Sequence, residues 1–332
     1  MRPDILIVGQ GLAGTLLGWE LERARISFTV ADRGHAGSAS SVAAGIINPI
    51  TGRRLVKSWR FESLFPMARE SYREMEAALG VALWHDMRIR RTFADERERA
   101  LGADAHRRAE LADFIESADE DGWWIRSAAR VDLVKLLRAA RARWDAVGKL
   151  REEAVVIERE CERYALVIDC SGSDGTHASE QDNVPWEFSK GEVLELQVDG
   201  LDREVILNQR MWVMPTGTGT ALAGATHQPN VRDRQPSAHA RAAIDAAARV
   251  ILGEGRPFSV TDHRAGLRVN LSDKRPGAGR SSQNPRIGLL NGLGGKGVLW
   301  APMLARQWIE HLKSGARFDP EIDVQRFGSG MP

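Results

Sequence analysis

Only two of the 332 residues are cysteines, Cys161 and Cys170, which stand nine positions apart and flank an apolar run. That spacing suits neither a disulfide framework nor a metal site, so no metal is expected and a reducing, cytoplasmic setting is. Charge of one sign is missing too. Forty-six basic side chains against 45 acidic ones leave a net charge of +1, so no global field draws the chain toward nucleic acid or an anionic membrane. No apolar run approaches membrane-spanning length. The N-terminus enters a strand by Ile5 without the basic, apolar, then small-residue order of a signal peptide. Repeats and low-complexity tracts are absent. With 43% hydrophobic and 27% charged residues, the chain can bury a sizeable core and is expected to divide into two lobes.

What is present begins at residue 5. Ile5, Leu6, Ile7 and Val8 form the continuous apolar run of a central parallel strand covered on both faces. Gly9, Gly11 and Gly14, with Leu12 and Ala13 between them, then supply a tight turn, a backbone free of side chains beside a diphosphate, and close helix-to-strand packing. The N-terminus of the helix that follows adds its dipole. Leu12, Leu16, Leu17 and Leu21 recur at helical spacing, after which Phe28 and Val30 lead to Asp32 and Arg33. An acid at the end of the second strand can accept ribose hydroxyls. It disfavours a phosphorylated ribose, which leaves NAD or FAD.

Further along, residues 34–58 read as an extended loop of small residues. Helices are expected at 61–79, through 95–116, and at 130–144. "ALVIDCSGSDG" at 165–175 is a buried strand running into a small-residue turn, with Gly172 at its edge. Between 181 and 270 short alternating segments separated by glycine turns predict an antiparallel sheet, and a helix follows the pattern at 238–252. Residues 286–312 return to strand, glycine turn and long helix. The layout is discontinuous. A Rossmann-like nucleotide-binding domain is expected from 1–60, 127–180 and 264–332, with an inserted α+β substrate domain on a large mixed or antiparallel sheet from 61–126 and 181–263.

In their order, "GQGLAG" with Asp32, "SASSVAAGIINP", "ALVIDCSGS", "KGEVLEL", "WVMPTGTGTALAGATH", "AGLRVNLSDKRP" and "GLGGKGVLWAP" resemble the FAD-dependent oxidoreductases of the D-amino-acid oxidase and glycine oxidase group. The resemblance implies an α/β fold with FAD lying between a nucleotide domain and a substrate domain. It implies that Gly9, Gly11, Gly14 and Asp32 hold the adenosine diphosphate half. Ser40, Ser41, Ala44 and Gly45 match the loop that passes the diphosphate and the flavin ring, and Gly172 the strand-end turn on the adenosine side. Gly292, Gly294, Gly295, Lys296, Gly297 and Val298 match the glycine-rich segment whose amides and helix N-terminus face the flavin. A helix N-terminus favours the negative charge that reduced flavin carries. Covalent members of the wider group use a cysteine or a histidine. No cysteine follows Cys170, and although His35 is a histidine in the flavin loop, a non-covalent FAD is expected.

On the substrate side, Arg268 resembles the arginine that pairs with the carboxylate of an amino-acid substrate, a role that suits a planar guanidinium. Its alternatives are a structural ion pair with Asp262 or Asp273, and Arg264 is the local competitor. Val269 stands where a proline is common in the group. His227 is a candidate to take a proton or hold substrate, Lys296 to bring positive charge near the flavin, and Trp212, with Met211, to line the pocket. Leu222 occupies the position where some amine oxidases carry an oxygen-activating lysine, so the electron acceptor is O2 or another oxidant. Arg53, Arg54, Lys57 and Trp59 form a basic cluster that calls for an anion. It fits a second acidic group on the substrate, contacted by Arg54, an RNA phosphate, or a loop anchored by ion pairs.

The expected activity is oxidation of the C–N bond of a small amino acid or N-substituted amino acid by hydride transfer to flavin N5, with positioning as the dominant contribution. The alternatives are an oxidase acting on carboxymethylaminomethyl-uridine of tRNA, and a flavoprotein without turnover that serves electron transfer.

Overall fold

The computed structural model describes residues 5–34, 37–174 and 184–328. His35 lies outside the described residues. Two sheets organise the chain. The first has six strands in the order Gly277–Arg280, Ile287–Asn291, Leu166–Asp169, Ile5–Val8, Phe28–Ala31 and Leu150–Arg151. All neighbours are parallel except the outermost strand Gly277–Arg280, which runs antiparallel to Ile287–Asn291. Ile5–Val8 is buried at every position, because a central parallel strand is covered on both faces. The opening helix Leu12–Arg23 and the closing helix Gly297–Ser314 pack against each other beside this sheet. The sheet therefore joins residues from the two ends of the chain.

The second sheet has ten strands and is mixed. Toward one end lies its longest ladder, the antiparallel pair of Trp186–Gln197 and Ser259–Leu271. Trp212–Gly217 and Thr220–Gly224 extend it antiparallel, while Val205–Asn208 pairs parallel with Trp84–Thr92. The continuous ladder carries Ser259–Leu271 past position 264, and Ile46–Ile47 also joins this sheet by pairing with Gly122–Val131. One hydrophobic core spans both lobes: Ile7, Leu16 and Trp308 belong to the same cluster as Trp84, Ile89 and Trp123.

The helix expected at 61–79 runs Phe61–Leu79. The helical pattern at 95–116 resolves into Glu96–Ala103 and Ala105–Glu110, followed by the strand Ile115–Ala118. Asp104 makes the break, because its side chain accepts from the amide of Arg107 and starts a new helix. In the same way Asp132 caps Leu133–Ala146, which leaves Arg130 and Val131 to the preceding strand. No helix among the described residues is long and apolar enough to cross a membrane.

Candidate active site

The opening strand ends at Gly9, whose φ of +95° only glycine adopts readily. A Cβ on Gly14 would lie 1.9 Å from the Gly9 carbonyl oxygen, so the helix lies this close to the strand only without a side chain there. Gly11 is the N-cap of the helix and has no side chain with which to cap it. The amide of Leu12 donates to Ser40 Oγ at 3.0 Å, and Gly11, Leu12 and Ala13 line a cavity of about 850 Å³. Asp32 closes this end. Its carboxylate accepts from the Gln10 amide (2.7 Å), the Gly34 amide (2.8 Å) and Arg141 Nη1 (2.9 Å). Arg141 also donates to Gln10 Oε1 at 3.1 Å.

Arg33 lies on the same rim, 2.5 Å from Asp174, which also pairs with Arg234. Gly172 sits at the end of Leu166–Asp169 with φ +63°, and its carbonyl accepts from Asn291 Nδ2 at 2.9 Å. Ala44 and Gly45 contribute to the wall, and a Cβ on Gly45 would lie 2.0 Å from the Val131 carbonyl oxygen. Gly14 and Ser41 stand behind the wall; the Ser41 hydroxyl donates to the Ser38 carbonyl.

A second glycine corner borders the same cavity beside the first, with Leu12 Cδ2 3.2 Å from where a Cβ on Gly297 would stand. Gly292 and Gly294 have φ of +73° and +53°, and a Cβ on Gly294 would meet Asn270 Oδ1 at 2.1 Å. Gly294, Gly295, Gly297 and Val298 line the cavity, and the N-cap residue of the closing helix supplies no capping side chain either. Gly292 and Lys296 lie outside the wall. Burial, and then the charge of Arg275, lower the Lys296 ammonium from its ordinary range. Two helix N-termini whose N-cap residues supply no capping side chain, two glycine corners and a buried acid thus border one cavity. The donor set and the room match an adenine dinucleotide.

The larger sheet supplies the other wall. Arg268 crosses flat over Gly191, where a Cβ would lie 2.2 Å from Nη2. Its Nη1 donates to the Thr226 carbonyl at 3.2 Å, and no carboxylate among the described residues pairs with it. Burial alone drives it below the usual arginine range. The structural alternatives for Arg268 fall away: Asp262 pairs with Arg264 and Asp273 with Arg326. Arg264, neutralised also by Glu195 at 3.1 Å, is no free anion receptor. His227 and Trp212 line the cavity beside Arg268. Desolvation, and then the Arg268 charge, lower the His227 imidazole below its ordinary range and so favour its neutral form.

The basic cluster turns elsewhere. Arg54, expected to meet substrate, stands exposed in the turn between Ile50–Thr51 and Val56–Lys57, outside the cavity wall. The short hairpin aims its turn at solvent. Arg53 pairs with Asp95 at 3.4 Å, Lys57 with Glu62 at 2.6 Å, and Trp59 lies between the guanidiniums of Arg60 and Arg275, each 4.7 Å from its ring centre.

The family profile described as "FAD dependent oxidoreductase", DAO, matches residues 4–310. The chain belongs to the DAO family. It is an FAD-dependent oxidoreductase, and the cavity described above is where such a cofactor fits. Among solved structures it is similar to an iminodiacetate oxidase from Chelativorans sp. BNC1, with TM-score 0.75 and 18% identity over 98% of each chain. It is equally similar to a glycine oxidase from Geobacillus kaustophilus, with TM-score 0.75 and 19% identity over 96% of this chain and 97% of that one. A curated relative, the tRNA 5-methylaminomethyl-2-thiouridine biosynthesis bifunctional protein MnmC of Maricaulis maris (strain MCS10), is 28% identical over 94% of this chain. The chain spans about half the length of the curated relatives it matches, 52% of that one.

Sequence reasoning missed Arg141, Asn291 and Arg210, the last of which also lines the cavity. Only for Asn291 was there a local signal, its place directly before the glycine turn.

Proposed function

We propose that this DAO-family chain oxidises the C–N bond of a small amino acid or N-substituted amino acid. The observation that carries the reading is Arg268: a guanidinium enclosed in the cavity wall, laid over a glycine and lacking a carboxylate partner among the described residues. A buried cation without a counter-ion is costly, and a substrate carboxylate offsets that cost with two parallel hydrogen bonds. Gly9, Gly11, Asp32 and the corner at Gly294–Gly297 would hold FAD without a covalent link. When bound, FAD accepts the hydride from the substrate carbon and so the two electrons of the oxidation.

The chain's own part is positional. Arg268 fixes the carboxylate, Trp212 supplies an apolar wall, and neutral His227 is able to accept the proton that leaves the amine nitrogen. The C–H bond breaks, a C=N bond forms, and water then splits the imine into a carbonyl acid and an amine. The test is an anaerobic screen of the FAD-loaded protein with glycine, sarcosine, proline, D-amino acids and N-carboxymethyl amines. Loss of the flavin band at about 450 nm with at least one of them supports the reading. A band that none of them bleaches contradicts it.

A further inference from the structure

Arg210 stands in the turn between Val205–Asn208 and Trp212–Gly217 and lines the same cavity as Arg268. Register relates the two. Trp212 pairs with Gly224 and Gly224 with Val193, so Trp212–Gly217 and Trp186–Gln197 run in the same direction two strands apart. Gly191, beneath the Arg268 guanidinium, precedes Val193 by two residues, as Arg210 precedes Trp212. Ordinary strand spacing sets these two rows about 10 Å apart. His227, Thr226 and Trp212 line the cavity with them.

The charge of this wall is one-sided. Among the described residues, those that line the cavity from the larger sheet and its loops include Arg210, Arg234, Arg268 and His227, and no carboxylate. Arg234 is committed to Asp174. Arg210 reaches Asp95 at 3.1 Å, but Asp95 also takes Arg53 at 3.4 Å and caps a helix through the Glu98 amide. One carboxylate shared between two guanidiniums leaves positive charge at the mouth. Both arginine side chains are largely in solvent, 58% and 70% exposed, so the shared pair is weak and exchangeable.

We infer that Arg210 forms a second anion subsite, and that the substrate is an N-substituted glycine whose N-substituent ends in another acidic group. The inference rests on the carboxylate role of Arg268 given above. The glycine carboxylate lies on Arg268, the substituent runs past Trp212, and the distal acid meets Arg210. A separation of this order fits a substituent several bonds long. Asp95 acts as the resident counter-ion that the distal acid displaces.

The test begins with binding alone. FAD-loaded protein is titrated with glutarate, adipate and their monocarboxylate counterparts, following perturbation of the flavin spectrum. The expected result is at least tenfold tighter binding of one of the dicarboxylates than of its monocarboxylate, a ratio that collapses toward one in Arg210→Met. Asp95→Asn, which frees Arg210 while keeping a capping side chain, raises the ratio. In turnover, the KM of N-carboxymethyl-β-alanine relative to that of sarcosine rises about tenfold in Arg210→Met. Equal binding of both ligand classes, or a ratio untouched by Arg210→Met, overturns the inference. So does an Arg210→Met protein that loses salt-sensitive retention of bulk tRNA while no dicarboxylate preference exists. If the dicarboxylate preference and its loss in the variant hold while no amine bleaches the flavin, the subsite stands and the proposed oxidation fails.

Discussion

The guanidinium of Arg268 and the bare backbone of Gly191 are in direct contact: a Cβ at position 191 would lie 2.2 Å from Nη2, 2.3 Å from Cζ and 2.4 Å from Nη1. Gly191 faces Gly266 across the ladder, so this stretch of the wall is free of side chains from both strands. Gly191→Ala therefore forces Arg268 off the wall. The expected outcome is a tenfold or greater rise in KM with FAD content unchanged, checked by steady-state kinetics beside the visible spectrum. A normal KM would show that the arginine does not hold substrate.

Arg141 sets the carboxylate of Asp32, together with Gln10, before any ribose arrives. Arg141→Met leaves that carboxylate without its guanidinium partner. FAD affinity is expected to fall by about ten- to a hundredfold, corresponding to the loss of a partly buried, charge-assisted bond of about 1.5–3 kcal/mol. Fluorescence of released FAD on dilution reads it directly, without turnover.

Gly14 is a test of packing. A methyl group at 14 cannot coexist with the Gly9 carbonyl oxygen 1.9 Å away, so strand and helix must separate. Gly14→Ala is expected to destabilise the protein by about 1–3 kcal/mol or more and to weaken FAD retention with it. Thermal unfolding of apoprotein and FAD-loaded protein separates the two effects.

These glycines were legible because a diphosphate and a tight strand–helix contact constrain the main chain, and such constraints leave a pattern within a few residues. The closing turn at Gly292–Gly297 was legible for the same reason. Arg141 and Arg210 were not. Arg141 is 109 residues from Asp32, and its role exists only because the helix Leu133–Ala146 packs beside the parallel sheet. Arg210 faces the site through ladder register, which composition does not fix. The basic run at 53–57 misled because local charge density says nothing about which way a hairpin turn points.

Asp169 offers a pH test. It ends the strand beside Val8, is 1% exposed, and its Oδ2 has no hydrogen-bond partner among the described residues. Desolvation pushes its carboxyl up to about 6 from an ordinary 3.8, against the bonds from Ser171. The folded state thus holds a proton that the unfolded chain has lost, so this group's effect on stability grows worse as pH rises from about 4 to 6 and levels off above. Asp169→Asn is expected to stabilise the protein by roughly 2–3 kcal/mol above pH 7, and to flatten the pH dependence of unfolding in that window. Unfolding in denaturant at pH 4, 6 and 8 would reveal it.

The most direct test is anaerobic titration of the FAD-loaded protein with its best amine substrate, comparing wild type with Arg268→Met. A carboxylate held by Arg268 predicts bleaching of the flavin band in both, with half-saturation at least thirtyfold higher in the variant, as loss of a charged pair at about 2–5 kcal/mol requires. Coincident titration curves would contradict the account, because the amine would then be held by something other than this arginine.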